Sequence, residues 1–310
     1  MDTRTIGPLT VSTIGLGCNN FGTRLDAEQT QAVVHRALDV GVNFFDTADM
    51  YGDGVSEEYL GQALKGRRDE VTVASKFGAS VIDKGLTGGH PDFVRKAIDR
   101  SLRRLNTDWI DLYQLHVPDA KVPLADTLGA LHELVIAGKV RVIGCSNFDA
   151  DLLGAADQAS TDRNLTHFAS VQNRFSVLHH EPVDEVLPAC AELGVGFLPF
   201  FPLESGLLTG KVGPAGPPPG TRLHTMDEER RARFLDDERI DRVRILASYA
   251  SDHDRSILEL AISWLLNHAE VRSVIAGASN PAQIAANSSA GTWTMNDTVR
   301  GEIAEIVAKN

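Results

Sequence analysis

Eight short β-branched or aromatic runs, each followed by a loop and an amphipathic segment of helical period, predict an α/β chain folded as a (β/α)8 TIM barrel with an N-terminal β-hairpin and a long loop after strand 7. Two further observations agree. A chain of 310 residues with 43% hydrophobic residues can bury a large core, and such barrels fill that length as one domain, here residues 1–310. An open doubly wound sheet usually holds fewer strands and a Gly-rich first turn, so the count favours the barrel.

The elements follow in order. TRTIGPLTV reads as two short strands around Gly7 and Pro8, a hairpin placed to plug the N-terminal end of the barrel. The eight runs are 13–17 (TIGLG), 42–46 (VNFFD), 71–76 (VTVASK), 110–116 (IDLYQLH), 140–146 (VRVIGCS), 169–172 (ASVQ), 195–200 (VGFLPF) and 273–276 (SVIA). Right-handed crossovers would return each to the next. After Pro91, which suits a first helical position, Phe93, Ala97, Ile98, Leu102 and Leu105 form one apolar stripe. Leu124, Leu128, Leu131 and Val135 form another, with Gly138 as its C-terminal cap. Between the seventh run and a helix near 255–267 lies a long insertion. Its segment GPAGPPPGTR at 213–222 is too rich in Pro and Gly for a regular element, so a mobile loop on the C-terminal face is expected.

Composition narrows the function classes. The formal net charge of -12 is spread along the chain, which favours solubility and argues against nucleic acid as a partner. Cys18, Cys145 and Cys190 lie far apart without a CxxC pair and read as reduced core thiols. No signal-like start and no uninterrupted run of about 18 apolar residues occurs, so a cytoplasmic protein away from membranes is expected.

Barrel chemistry sits at the C-terminal strand ends. Asp46 closes the second run, Lys76 the third, His116 the fourth, Ser146 and Asn147 the fifth and Gln172 the sixth, so all converge on one mouth. Alternation along the third run puts Thr72, Ala74 and Lys76 on one face, and the small residues below Lys76 leave room for it to point inward. A buried ammonium needs a counter-ion, which Asp46 on the neighbouring strand supplies. Tyr51, in DTADMYGDG, opens beside that pair. The ammonium is expected to lower a hydroxyl pKa that is about 10 in water, making Tyr51 a proton donor near neutral pH. One polar residue in a barrel loop is usually structural, so the joint occurrence on consecutive strand ends carries the weight. The other histidines, including His179 and His180, show no metal-ligand spacing, and no metal is expected.

With these residues in place, the chain resembles the aldo-keto reductase superfamily from about Ile14 to Asn287. The likeness runs through GVNFFDTADMYGDGVSEEYLG, VTVASKFG, DLYQLH, VRVIGCSNF, SVQNRFS, FFPLESGLLTGK and VIAGASNPAQIAAN. The resemblance implies hydride reduction of an aldehyde or ketone by a nicotinamide, or oxidation of a sugar or alcohol in reverse. Asp46, Tyr51, Lys76 and His116 fall on the family's catalytic tetrad. Tyr51 is then the general acid, Lys76 tunes it, Asp46 holds Lys76, and His116 orients and polarises the carbonyl.

Cofactor positions carry over in the same way. Ser146, Asn147 and Gln172 match residues that bind the carboxamide, with Asn173 beside them, and Phe200 matches an aromatic that stacks on the nicotinamide. Leu203, Ser205, Gly206, Leu208 and Lys211 match the strip along the pyrophosphate, with the Pro/Gly-rich insertion as a clasp. Gly277, Ser279, Gln283 and Asn287 match contacts to the adenosine phosphate and adenine. Many members carry a Lys near Gly277, an Arg in place of Gln283 and a Glu in place of Ala286, so the strong cationic grip on a 2′-phosphate is missing here. Relatives with Ser and Gln at these places imply NADP(H) preferred over NAD(H). Asn20, Phe21, Met50, Phe77, Pro118 and Phe201 are the candidate substrate lining, mostly apolar and suited to a small carbonyl compound or sugar. Two rivals stand beside this reading. One is a nucleotide-binding regulatory barrel with little turnover. The other is a metal-dependent barrel hydrolase with Asp46 and His116 as ligands, which the lack of a second histidine or carboxylate cluster disfavours.

Overall fold

The computed structural model describes residues 1–79, 85–213 and 216–308. Strands β1 (Thr3–Ile6) and β2 (Leu9–Ser12) form an antiparallel hairpin. Then come β3 (Ile14–Gly17), β4 (Phe44–Asp46), β5 (Thr72–Phe77), β6 (Ile110–Leu115), β7 (Val140–Ser146), β8 (Ser170–Arg174), β9 (Gly196–Phe200) and β10 (Val274–Gly277). These last make an eight-stranded parallel sheet in the order β10-β3-β4-β5-β6-β7-β8-β9. A bridge between Phe197 and Val271 joins its two edges into a nearly closed barrel. Each of the eight expected runs overlaps its strand.

Alternation along the strands sorts the apolar residues into two sets. Phe44, Ala74, Leu112, Val142, Leu198 and Ile275 fill the barrel interior together with Ile6, Leu9 and Val11 of the hairpin. The hairpin therefore plugs the barrel, its turn made possible by Gly7 at φ 53°. Residues one step out of phase, such as Val73, Tyr113 and Ile143, pack outward against the helices. Helix Pro91–Leu105 buries Phe93, Val94, Ala97, Ile98 and Leu105, with proline in its first turn. Helix Leu124–Ile136 stops just before Gly138, whose φ of 73° ends it as expected.

The insertion after β9 departs from expectation. A tight helical turn, Glu204–Thr209, is followed by helices Arg222–Thr225, Glu228–Ala232 and Asp237–Asp252. The Pro/Gly-rich stretch covers only its first part, and residues 214 and 215 of that stretch lie outside the described residues. Beyond it, Asp227 and Asp236 cap helices by accepting from the backbone N–H groups of Arg230 and Arg239, both at 2.8 Å. Cys18, Cys145 and Cys190 are buried free thiols. Among the described residues no helix is long and apolar enough to cross a membrane.

Candidate active site

Lys76, near the end of β5, is fully buried, and inward alternation aims its ammonium at the mouth. Its Nζ donates to Asp46 Oδ2 at 2.6 Å, to the Thr47 carbonyl at 2.9 Å and to the Tyr51 hydroxyl at 3.4 Å. Asp46 ends β4, and its second oxygen accepts from Gln172 Nε2 at 2.8 Å and Gln114 Nε2 at 3.4 Å. Both ions are thus hydrogen-bonded as well as paired, the condition under which buried charges are tolerated. Burial opposes the charged lysine, yet Asp46 and Tyr51 outweigh it and hold its pKa above the usual value.

Tyr51 opens a tight turn, Tyr51–Gly54, in which Gly52, Asp53 and Gly54 all have positive φ. Its hydroxyl corrects the sequence expectation. Burial pushes the pKa up, Lys76 pulls it down, Asp46 pushes it up again, and the net direction is upward from 10.0. The ammonium is neutralised by the carboxylate 2.6 Å away, so the phenol feels a dipole more than a cation. The group therefore stays protonated at neutral pH. His116 follows β6, and its ring stands edge-on to Tyr51 with centroids 6.0 Å apart. Burial and then Lys76 lower its pKa to about 3, leaving a neutral imidazole. Its Nδ1 is buried with no hydrogen-bond partner among the described residues.

Beside this cluster, the Ser146 hydroxyl donates to the Gln172 carbonyl at 2.7 Å, and Asn147 Nδ2 donates to the His116 carbonyl at 2.9 Å and Ser146 Oγ at 3.1 Å. Asn147 adopts φ 61°, which turns the chain at the end of β7. Asn173 Nδ2 donates to the Phe148 carbonyl at 2.7 Å, while its Oδ1 is buried without a partner among the described residues. Phe200 ends β9 with its ring 5.4 Å from that of Phe201. In the strip that follows, Leu203 is buried, Ser205 and Gly206 are half-buried and Lys211 is exposed. Leu208 is fully buried in the core, so its side chain does not line the strip. At the other rim Gly277 ends β10, Gln283 Oε1 accepts from the N–H and hydroxyl of Ser279 at 2.8 and 3.0 Å, and Asn287 Nδ2 donates to the Gly277 carbonyl at 3.4 Å.

The substrate lining is partly corrected. Asn20 is buried and donates to the Ala278 carbonyl at 3.2 Å, Met50 is exposed, and Pro118 and Phe201 are half-buried. Phe77 follows Lys76, so alternation turns it outward, where its fully buried ring stacks on Tyr113 at 4.7 Å. Phe21 is likewise fully buried in the outer core. Neither ring lines the mouth.

Sequence reading missed three polar groupings. Glu204, fully buried, accepts from Arg174 at 2.6 Å, Ser176 at 2.8 Å and Arg239 at 3.4 Å. A carboxylate inside the apolar PLESGLL was its signal. The Arg222 guanidinium lies 5.6 Å from the centroid of the Phe201 ring and has no hydrogen bond or ion pair among the described residues; burial and Arg24 lower its pKa. Arg24 donates to the Gly220 carbonyl at 2.8 Å, tying the Pro/Gly-rich segment to the loop after β3. Third, buried Glu57 accepts from Ser75 at 2.6 Å and Arg104 at 3.1 Å behind the Tyr51 turn. Nearby Asp49 is pushed up to about 7 by burial and then by Glu57. Among the described residues no group of three or more His, Cys, Asp or Glu is placed to hold a metal.

The mouth of this parallel barrel gathers a buried lysine–aspartate pair, a protonated tyrosine and a neutral histidine, a set arranged for proton transfer. The chain belongs to the aldo/keto reductase family, whose sequence profile matches residues 13–308. It is 33% identical over 306 residues to aldo-keto reductase YhdN of Bacillus subtilis (strain 168), covering 96% of this chain and 90% of that protein. It is 32% identical over 275 residues to a probable voltage-gated potassium channel subunit beta of Oryza sativa subsp. japonica, covering 86% and 83%. In structure it resembles aldo-keto reductase AKR11C1 from Bacillus halodurans in its holo form. The TM-score is 0.82 at 30% identity, over 99% of this chain and 96% of that one.

Proposed function

We propose that this protein is an NADP(H)-dependent reductase of small aldehydes or ketones, with Tyr51 as general acid. The observation that carries the reading is the Tyr51 hydroxyl 3.4 Å from Lys76 Nζ, which is itself 2.6 Å from Asp46.

The mouth suits a dinucleotide. His116 Nδ1, Asn173 Oδ1 and Ser205 Oγ are buried without partners among the described residues, and Arg222 is a half-buried cation without a carboxylate. Such groups call for a ligand with donors, acceptors and negative charge. Ser146, Asn147 and Gln172 would hold the carboxamide and Phe200 the ring face. The strip from Leu203 to Lys211, with Arg222, would meet the diphosphate, and Ser279, Gln283 and Asn287 the adenosine end. When bound, the nicotinamide supplies the hydride.

The remaining work falls to the protein. Reduction leaves an electron pair on the carbonyl oxygen, and the Tyr51 hydroxyl gives its proton there. The phenolate left behind is stabilised by the ammonium of Lys76, whose position Asp46 and the Thr47 carbonyl fix. Neutral His116 can donate to the same oxygen and orient it. Burial of Lys76, Asp46 and Gln172 keeps this field unscreened. In oxidation the Tyr51 phenolate, held by the same ammonium, takes the proton from the alcohol.

The test is a fluorescence or calorimetric titration with NADPH and NADH, then absorbance at 340 nm on adding a panel of aldehydes, ketones and sugars. Carbonyl-dependent oxidation of NADPH supports the reading; comparable dissociation constants for NADPH and NADH defeat the cofactor preference. A regulatory barrel is favoured by the channel-subunit name of one relative. Tight binding without turnover would establish it instead.

A further inference from the structure

We propose that Glu204 is a positioning residue for the dinucleotide: its carboxylate, gripped by Arg174 and Arg239, sets the left-handed backbone that receives the cofactor's diphosphate. The proposal rests on the dinucleotide reading above.

Three consecutive residues, Glu204, Ser205 and Gly206, have φ of 45°, 59° and 104°. Only the last is a glycine. Non-glycine residues hold left-handed backbone when the surroundings over-determine it. Here the surroundings are charged. The Glu204 carboxylate is fully buried, and its three donors come from different parts of the fold: Arg174 at the end of β8, Ser176 just after it and Arg239 in helix Asp237–Asp252. Arg239 also donates to the Arg233 carbonyl at 3.2 Å and to the Leu178 carbonyl at 3.4 Å, so one guanidinium anchors the helical insertion and the strip together.

In this turn the N–H groups of Glu204 and Gly206 are spent on the Phe201 and Leu203 carbonyls at 3.0 and 2.8 Å, while that of Ser205 has no hydrogen-bond partner among the described residues and is left for an anion. Ser205 stands in that turn, and its hydroxyl is buried without a partner among the described residues, which points to a ligand there. Glu204 itself spends both oxygens on Arg174, Ser176 and Arg239. It acts through the backbone of its neighbours, not by contact with a reacting atom.

The experiment compares unaltered protein with Glu204→Gln and Arg239→Gln. NADPH affinity is read by fluorescence on the enzyme alone, kcat and carbonyl KM at saturating NADPH, and folding by thermal melts. The dissociation constant should rise about tenfold or more for Glu204→Gln, and by a smaller factor for Arg239→Gln, because a preorganised site is lost. At saturating NADPH, kcat and carbonyl KM should stay within about twofold, since cofactor binding supplies the missing order. If Glu204→Gln does not fold, Arg239→Gln carries the test. Wild-type affinity in the folded variants would overturn the proposal, as would equal losses in cofactor affinity, kcat and carbonyl KM. Failure of the unaltered protein to bind NADPH would overturn the dinucleotide reading and this proposal with it.

Discussion

Replacing Asp46 by asparagine removes one charge at the centre of the mouth and leaves its shape intact. The paired side chains are 0% and 3% exposed for Lys76 and Asp46, and the contact is 2.6 Å. At an effective dielectric of about 20, two unit charges at that separation attract by about 6 kcal/mol. The ammonium keeps the Thr47 carbonyl and the Tyr51 hydroxyl as partners but loses its counter-charge. The introduced amide has one oxygen where the carboxylate had two, so it can serve Lys76 or Gln172 but not both. Orphaning a buried charge in this way costs about 3–5 kcal/mol. Urea unfolding at pH 7.5 should show that loss for Asp46→Asn. Adding Lys76→Met should recover most of it, because no unpaired ion remains. The reasoning fails if Asp46→Asn costs less than about 1 kcal/mol, or if the double variant is no more stable than the single one. Lys76 has a raised folded pKa, so its stabilisation is complete below the ordinary lysine value and is lost as pH climbs through the folded one. Lys76→Met should abolish that alkaline loss.

Four further outcomes are expected. Tyr51→Phe should slow carbonyl reduction by about 10²–10⁴ while NADPH affinity changes by less than about threefold, because only the transition state uses the proton. His116 titrates at about 3 when folded, so the unfolded chain takes up its proton first, and stability should fall by ~2 kcal/mol between pH 7 and 5 in urea titrations. His116→Gln should remove that slope. Asp49, raised to about 7, has the opposite sign: its folded form keeps a proton that the unfolded form releases above about pH 4. Stability from this group is present below about pH 4 and lost by pH 7, so Asp49→Asn should stabilise the protein by ~1–3 kcal/mol at pH 8. Gly54→Ala would drive a Cβ into the Arg104 guanidinium at φ 95°. A loss of ~2–3 kcal/mol in thermal melts, with lower kcat because the Tyr51 turn is displaced, is expected.

The barrel was readable because strand burial writes itself into composition. Phe44, Ala74, Leu112 and Val142 had to be apolar to fill the interior, and their out-of-phase neighbours to meet the helices. The pairing of Lys76 with Asp46 followed from the same alternation, since an inward lysine leaves few counter-ions in reach. Alternation also contradicts a mouth position for Phe77, one residue past Lys76. What escaped was collective. The upward direction for Tyr51 comes from burial, which prevails because Asp46 offsets part of the pull of Lys76, a balance that no single residue announces. Glu204 escaped because its partners, Arg174 and Arg239, are distant in sequence and meet only in space. The insertion's helices were hidden by the proline-rich segment before them, although Asp227 and Asp236 carried their caps.

Barrel closure also sets a clock on biosynthesis. Ile14 of β3 pairs with Val274 of β10, and Ile275 shares the interior with Ile6, Leu9 and Val11 of the plug. At about 5–20 residues per second, the roughly 260 residues between those partners take a ribosome roughly 15–50 s to deliver. Throughout that interval the edge of β3 lacks its β10 partner, and the greasy side of the hairpin awaits the last staves. A nascent chain in this condition is a natural client for holding chaperones, and one cut short before Val274 would stay so. Damage at the far C-terminus should therefore show up first as failed maturation, well before any defect at the mouth could be measured.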